Sequence, residues 1–155
     1  MSIRVLFVCH GNICRSPMAE FVFRDMVKKA GLGDCISVAS AAVTTEEIGN
    51  DVHPGTRRKL QQEGIAFEPR AARLITRQDY EVFDYVILMD EENRYHLRRM
   101  FGDKIAQSTP LLLSFAGEER DIADPWYTGN FDVTYDDIVR GCTALLAQIR
   151  ERHSF

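Results

Sequence analysis

The sequence predicts an α/β domain with a mainly parallel sheet, and three observations carry that expectation. Ile3 to Val8 is an apolar run broken only by Arg4 and rich in β-branched residues, as in a strand buried on both faces. A polar, glycine-containing loop follows, and then a helical pattern that opens at Ser16-Pro17. Further apolar runs alternate with helical patterns along the rest of the chain, the signature of strands joined by helical crossovers.

The elements follow in order. After the first strand, Ala19, Val22, Phe23, Met26, Val27 and Ala30 recur at three- and four-residue steps, and Gly31 ends the helix. Ser16 suits its N-cap and Pro17 its first turn. Strands are expected at Ile36–Ala41, Tyr85–Met89 and Ile105–Leu113, and helices at Pro54–Glu63, Glu91–Met100 and Tyr135–Arg152. The last helix has the clearest stripe, Tyr135, Ile138, Val139, Cys142, Leu146 and Ile149.

Composition bounds the rest. With 155 residues, 45% of them hydrophobic, the chain can bury one core without staples, and no repeat or linker divides it, so residues 1–155 read as one domain. A formal charge of −4 argues against a general polyanion surface, hence no nucleic acid partner. The N-terminal apolar run is too short for a signal peptide, and no stretch approaches the roughly 20 apolar residues of a membrane span. Cys9, Cys14, Cys35 and Cys142 are too scattered for a disulfide framework, so a reduced, cytoplasmic chain is expected.

In parallel sheets ligands gather beyond the carboxyl ends of the strands, which directs attention to Cys9-His10-Gly11-Asn12-Ile13-Cys14-Arg15-Ser16. The bare Cys-x5-Arg spacing is weak, with about 0.4 matches expected by chance in this composition. Its context adds weight: a cysteine at a strand end, Gly11 and Asn12 able to take positive φ, and an arginine at a helix start. Such a loop aims backbone N–H groups and the helix dipole at one spot, and Arg15 adds a planar fork for two phosphate oxygens. That field favours a thiolate at Cys9, and the Ser16 hydroxyl could stabilise it as a leaving group. The plainer alternative is a small buried Cys9 and a surface Arg15. Asp124-Pro125-Trp126-Tyr127 offers a carboxylate on a rigid turn beside two aromatics, suited to protonate a leaving oxygen near an aryl ring, though Asp-Pro is also an ordinary turn.

Val5 to Glu20 and Asp124 to Tyr127 together resemble the low-molecular-weight protein tyrosine phosphatase family, with similar runs at Ser40-Ala41, Ile48 to Asn50, Ala72-Arg73 and Phe83 to Asp90. The resemblance implies a three-layer α/β/α fold with a four-stranded parallel sheet and metal-free, cofactor-free hydrolysis of phosphotyrosine. By position it implies Cys9 as nucleophile, Arg15 as phosphate clamp and Asp124 as acid, then base. His10, Gly11, Asn12, Ile13, Cys14, Arg15 and Ser16 would bind the phosphate. Asn12, Ser16 and Ser40 would support the loop. Glu46, Trp126 and Tyr127 would form the rim, and Cys14 could pair with Cys9 under oxidation. The implied partners are phosphotyrosine-containing proteins, with inorganic phosphate or other oxyanions as ligands. Two departures stand out: Glu46 where the family often has an aromatic, and Arg70 where it often has a histidine.

Rival chemistries have weaker support. Arsenate reduction needs relay cysteines in the region of residues 80–95, which has none. Phosphoarginine specificity is tied to a loop threonine where this chain has Ile13. A phosphocysteine carrier or anion-binding module needs no Asp124. His10, His53, His96 and His153 show no metal-ligand spacing. Arg94, Arg98 and Arg99, and likewise Arg57, Arg58 and Lys59, read as solvated charge. Asp132, Asp136 and Asp137 read as the lead-in and cap of the last helix, and Cys35 and Cys142 as partly or wholly buried.

Overall fold

β1 (Ile3–Cys9), β2 (Ile36–Ala42) and β3 (Tyr85–Leu88) form one parallel sheet in the computed structural model, which describes residues 2–155. β1 is central, with Ile3 opposite Ile36 on one side and Val5 opposite Tyr85 on the other. The order β2-β1-β3 means the chain leaves β1 toward one edge and later returns to the other. A crevice therefore opens at the carboxyl end of β1, where Cys9 lies.

Among the described residues seven helices surround the sheet: α1 (Arg15–Lys29), α2 (Pro54–Gln62), α3 (Asp79–Val82), α4 (Glu91–Phe101), α5 (Asp103–Ser108), α6 (Pro125–Thr128) and α7 (Phe131–His153). The period-two alternation of β1 divides the core. Val5, Phe7 and Cys9 pack with Met18 and Val22 of α1 and Ile138 and Leu145 of α7. Leu6 and Val8 pack with Leu97 of α4 and Ala106 of α5. Helices thus cover both faces, and burying a side chain such as Phe7 contributes about 1.5–3 kcal/mol.

The start of the chain forms strand, loop and helix as its pattern predicts. At the end of α1 the Leu32 and Gly31 N–H groups donate to Val27 and Lys28 carbonyls, with Gly31 at φ 76°, a turn glycine adopts without strain. Cys35 is half-buried and Cys142 fully buried.

Several expectations are corrected. Among the described residues the sheet has three strands rather than four, because Ile105–Leu113 does not form a strand. Its first part winds into α5, and Leu112–Ala116 forms a 3₁₀ turn. Pro110 has no N–H to offer a ladder, and pairing shrinks to an isolated bridge between Leu88 and Leu111. Ser16 is not the cap of α1: the helix begins at Arg15 after Cys14, with no side-chain cap. The last helix is capped by Asn130, which accepts from the Val133 N–H. Asp137 instead receives two hydrogen bonds from Arg120, and Asp132 pairs with Lys59. Lys59 is accordingly not free surface charge. Arg94 is not solvated either, since it donates to the Ala106 and Thr109 carbonyls and ties α4 to the end of α5.

Gly141 gives a test of the packing of α7 on the 3₁₀ turn, because a Cβ there would lie 2.5 Å from Leu112 Cγ. Alanine would normally gain about 0.5–1 kcal/mol over glycine inside a helix. Overpacking a buried contact costs about 1–3 kcal/mol. Gly141→Ala is expected to lower the urea midpoint; an unchanged or higher midpoint would show that Leu112 yields without cost.

Candidate active site

The loop between β1 and α1 is held by one amide. Asn12 is fully buried with φ 61°, a left-handed conformation that asparagine tolerates better than most side chains. Its Oδ1 accepts from the Arg73 backbone N–H at 3.2 Å and from Arg70 Nη2. Both of those are donors, which fixes the orientation of the amide and leaves Nδ2 as donor to Ser16 Oγ at 2.7 Å and Ser40 Oγ at 2.9 Å. The Ser40 hydroxyl in turn donates to Glu20 Oε1 at 2.5 Å. Ser16 likewise accepts from Asn12, so its hydrogen is free to point at Cys9 Sγ, 3.1 Å away. The Ser16 N–H also reaches that sulfur, at 3.4 Å.

Arg70, the departure noted in the sequence, closes this network. Its Nη1 donates to the Asn12 carbonyl at 2.6 Å and its Nη2 lies 3.4 Å from Ser40 Oγ. Burial pushes its pKa down, opposed by the charge of Glu20. Glu20 is itself paired with Arg24 at 2.7 Å.

With the loop held, the N–H groups of Gly11, Ile13 and Cys14 meet no backbone acceptor among the described residues, and all three residues line the pocket. No side chain caps α1, which leaves the dipole end of the helix to an anion. Arg15 is 1% exposed. Its Nη1 donates to Asp90 Oδ2 at 2.6 Å and to the Ile122 carbonyl at 2.8 Å, while Nη2 lies 3.4 Å from Asp124 Oδ2. Burial opposes the charge on Arg15, but Cys9, Asp90 and Asp124 outweigh it and push its pKa above the ordinary value.

Asp124 caps α6, with Oδ1 accepting from the Trp126 N–H at 3.0 Å and Oδ2 turned toward Arg15. Pro125 fixes the first position of that short helix. Trp126 and Tyr127 are exposed at the pocket mouth, and Glu46 and Glu47 face them from the β2–α2 connection. The ring of His53 meets Trp126 edge-on and stacks on Phe131, so the Trp126 wall rests on α7. Glu46 is hydrogen-bonded to His10 Nε2. Cys14 is buried, and burial together with charge on Cys9 pushes its pKa up, keeping it a thiol.

The structure therefore brings Cys9, Arg15 and Asp124 to one pocket, Asn12, Ser16 and Ser40 into one network, and Glu46, Trp126 and Tyr127 to the rim. Sequence reading assigned no role to Asp90 or Glu20. Asp90 was accessible through its position: an aspartate directly after a buried parallel strand, at a helix start, where ligand-site residues collect. Glu20 carried no such signal, being one more charged residue on a helix.

A family model described as low molecular weight phosphotyrosine protein phosphatase matches residues 4–154. A low molecular weight protein-tyrosine-phosphatase of Bacillus subtilis, YfkJ, is 46% identical over 96% of this chain and 97% of its own. Its crystal structure superposes with a TM-score of 0.92 at 45% identity, covering 98% of this chain and 97% of that one. A low molecular weight phosphotyrosine protein phosphatase of Rattus norvegicus is 39% identical over 92% of each chain.

Asn12→Gly keeps the left-handed backbone but deletes the amide. It is expected to cost about 2–3 kcal/mol, because Ser16, Ser40 and Arg70 lose partners in a buried setting. Asn12→Ala should cost roughly 1 kcal/mol more for its Cβ at positive φ. Equilibrium urea unfolding checks both; a glycine variant as stable as wild type would show that backbone geometry alone holds the loop.

Proposed function

The chain belongs to the low molecular weight phosphotyrosine protein phosphatase family, whose chemistry is cysteine-based hydrolysis of phosphotyrosine, and on that premise we propose that Cys9 is its nucleophile. The observation that carries this reading is the direction of the Asn12 amide, which leaves the Ser16 hydroxyl donating to Cys9 Sγ. A hydrogen bond into the sulfur fixes its position beneath the pocket and stabilises it as a leaving group when the P–S bond breaks.

The phosphate sits over the loop N–H groups, with Arg15 Nε and Nη2 against two of its oxygens while Asp90 and the Ile122 carbonyl retain Nη1. The Cys9 thiolate attacks phosphorus. The bond from phosphorus to the phenolic oxygen breaks, and protonated Asp124 gives its proton to that oxygen. The resulting phosphocysteine is then attacked by a water whose proton Asp124 takes. The P–S bond breaks, phosphate leaves, and the sulfur returns to the Ser16 hydrogen bond. Arg15 and the N–H groups stabilise both transition states, because they are fixed before charge gathers on the equatorial oxygens.

Trp126 and Tyr127 suit an aryl ring on one wall. On the other wall Glu46 adds negative charge where an anionic phosphopeptide enters. The substrates are phosphotyrosine-containing proteins, and selectivity among them is set by this uneven rim. Among the described residues no helix is long and apolar enough to cross a membrane.

Two measurements test the reading. p-Nitrophenyl phosphate turnover with chelator present is expected to vanish in Cys9→Ser and to fall about 10²- to 10⁴-fold in Asp124→Ala. Turnover by Asp124→Ala equal to wild type would remove Asp124 as the acid. Glu46→Trp is expected to raise kcat/KM on a phosphopeptide panel by removing charge and adding a stacking wall. An unchanged panel would show that Glu46 does not govern selectivity.

A further inference from the structure

His10 directly follows Cys9 and lines the same pocket, and its ring also reaches α4. Its Nε2 is hydrogen-bonded to the Glu46 carboxylate, which can only accept, so the ring hydrogen on that side stays on Nε2. Its Nδ1 is buried and has no hydrogen-bond partner among the described residues. What Nδ1 faces is a second carboxylate, Glu92 Oε1, at 3.6 Å. His96 Nε2 approaches the same Glu92 oxygen at 3.9 Å, and the three atoms all lie within 4.8 Å of one another.

A lone pair on Nδ1 directed at a carboxylate oxygen is repulsive unless a positive species lies between them. Glu92 and His96 are one turn apart on α4 and therefore share a face. Asp90 caps that helix through the Asn93 N–H and anchors it to Arg15, so the face is held in place. The His10 ring meets the His96 ring edge-on, at 5.6 Å between centroids.

From these contacts we propose that His10 Nδ1, Glu92 Oε1 and His96 Nε2 bind a divalent transition-metal ion of the Zn²⁺ type beside the active site. Two imidazoles and a carboxylate form a donor set that suits zinc, with water as the fourth ligand. Bonds of about 2.0–2.2 Å place tetrahedral ligand atoms roughly 3.3–3.6 Å apart. The two nitrogen-to-carboxylate spacings, 3.6 and 3.9 Å, are close to this, while the imidazole pair, within 4.8 Å, needs a larger closure from the half-buried His96 side chain. Glu46 on Nε2 completes a carboxylate–histidine–metal arrangement, which fixes the tautomer and makes Nδ1 a better donor. Histidine spacing gave no sign of this set, since His10 meets Glu92 and His96 only once β1 and α4 are brought together by the fold.

The test is titration of the reduced, chelator-stripped Cys9→Ser protein with Co²⁺, followed by competition with Zn²⁺. One equivalent is expected, with the visible bands of tetrahedral cobalt, no thiolate-to-cobalt charge transfer, and displacement by Zn²⁺. His96→Ala and Glu92→Gln, made separately in that background, should each weaken binding at least tenfold. In the chain that retains Cys9, His96→Ala should leave metal-free p-nitrophenyl phosphate turnover unchanged, which shows that the fold survives. Binding unmoved by either substitution, or a spectrum dominated by thiolate, would place the ion elsewhere and overturn the proposal. So would no binding at all, which would mean that a proton alone reconciles His10 with its two carboxylates.

Discussion

The side-chain amide of Asn12 can point only one way, and the rest of the site depends on that constraint. The Arg73 backbone N–H can do nothing but donate, so the atom it meets must be Oδ1. From there every proton is assigned in turn: Nδ2 to both serines, Ser40 onward to Glu20, Ser16 onward to Cys9. A network in which each member has one permitted role does not fluctuate among tautomers. The sulfur is thereby offered a donor before any substrate arrives.

Arg15 illustrates how a nearly sealed cation is kept. Withdrawing a guanidinium from water costs several kcal/mol unless opposite charge and acceptors replace the solvent. Asp90 and the Ile122 carbonyl do so on one nitrogen, and Asp124 lies by another. The arrangement is asymmetric in a useful way. The close partners sit behind the fork, whereas the Asp124 contact, longer at 3.4 Å, is the one an incoming phosphate would displace.

Legibility in the sequence tracked how local the determinant was. β1, its loop and α1 were readable because buried alternation, glycine and helical periodicity act over a few residues. Ser16 was misread as a cap because the same hydroxyl that caps helices also suits a buried network, and only the positions of Asn12 and Cys9 decide between the two uses. Ile105–Leu113 was misread for a related reason: short apolar runs are ambiguous, and the contacts of α5 with α4 settled what periodicity could not. Glu20 was invisible because its meaning lies in Ser40, on the neighbouring strand. Arg70 was visible as an anomaly, but its role required knowing that its guanidinium spans Asn12.

The anchors of Arg15 are spread unevenly along the chain: Asp90, Ile122 and Asp124 lie 75, 107 and 109 residues beyond it. During synthesis, β1 and the phosphate loop leave the ribosome first, while the groups that neutralise and orient the arginine follow much later, Asp90 before Ile122 and Asp124. Loop closure over such separations is slow compared with local helix formation. A chain stopped short of residue 124 can thus carry the whole signature loop and still lack Asp124, one of the two carboxylates beside its arginine. The pocket is completed late in translation, and incomplete products carry its thiol without its full wall.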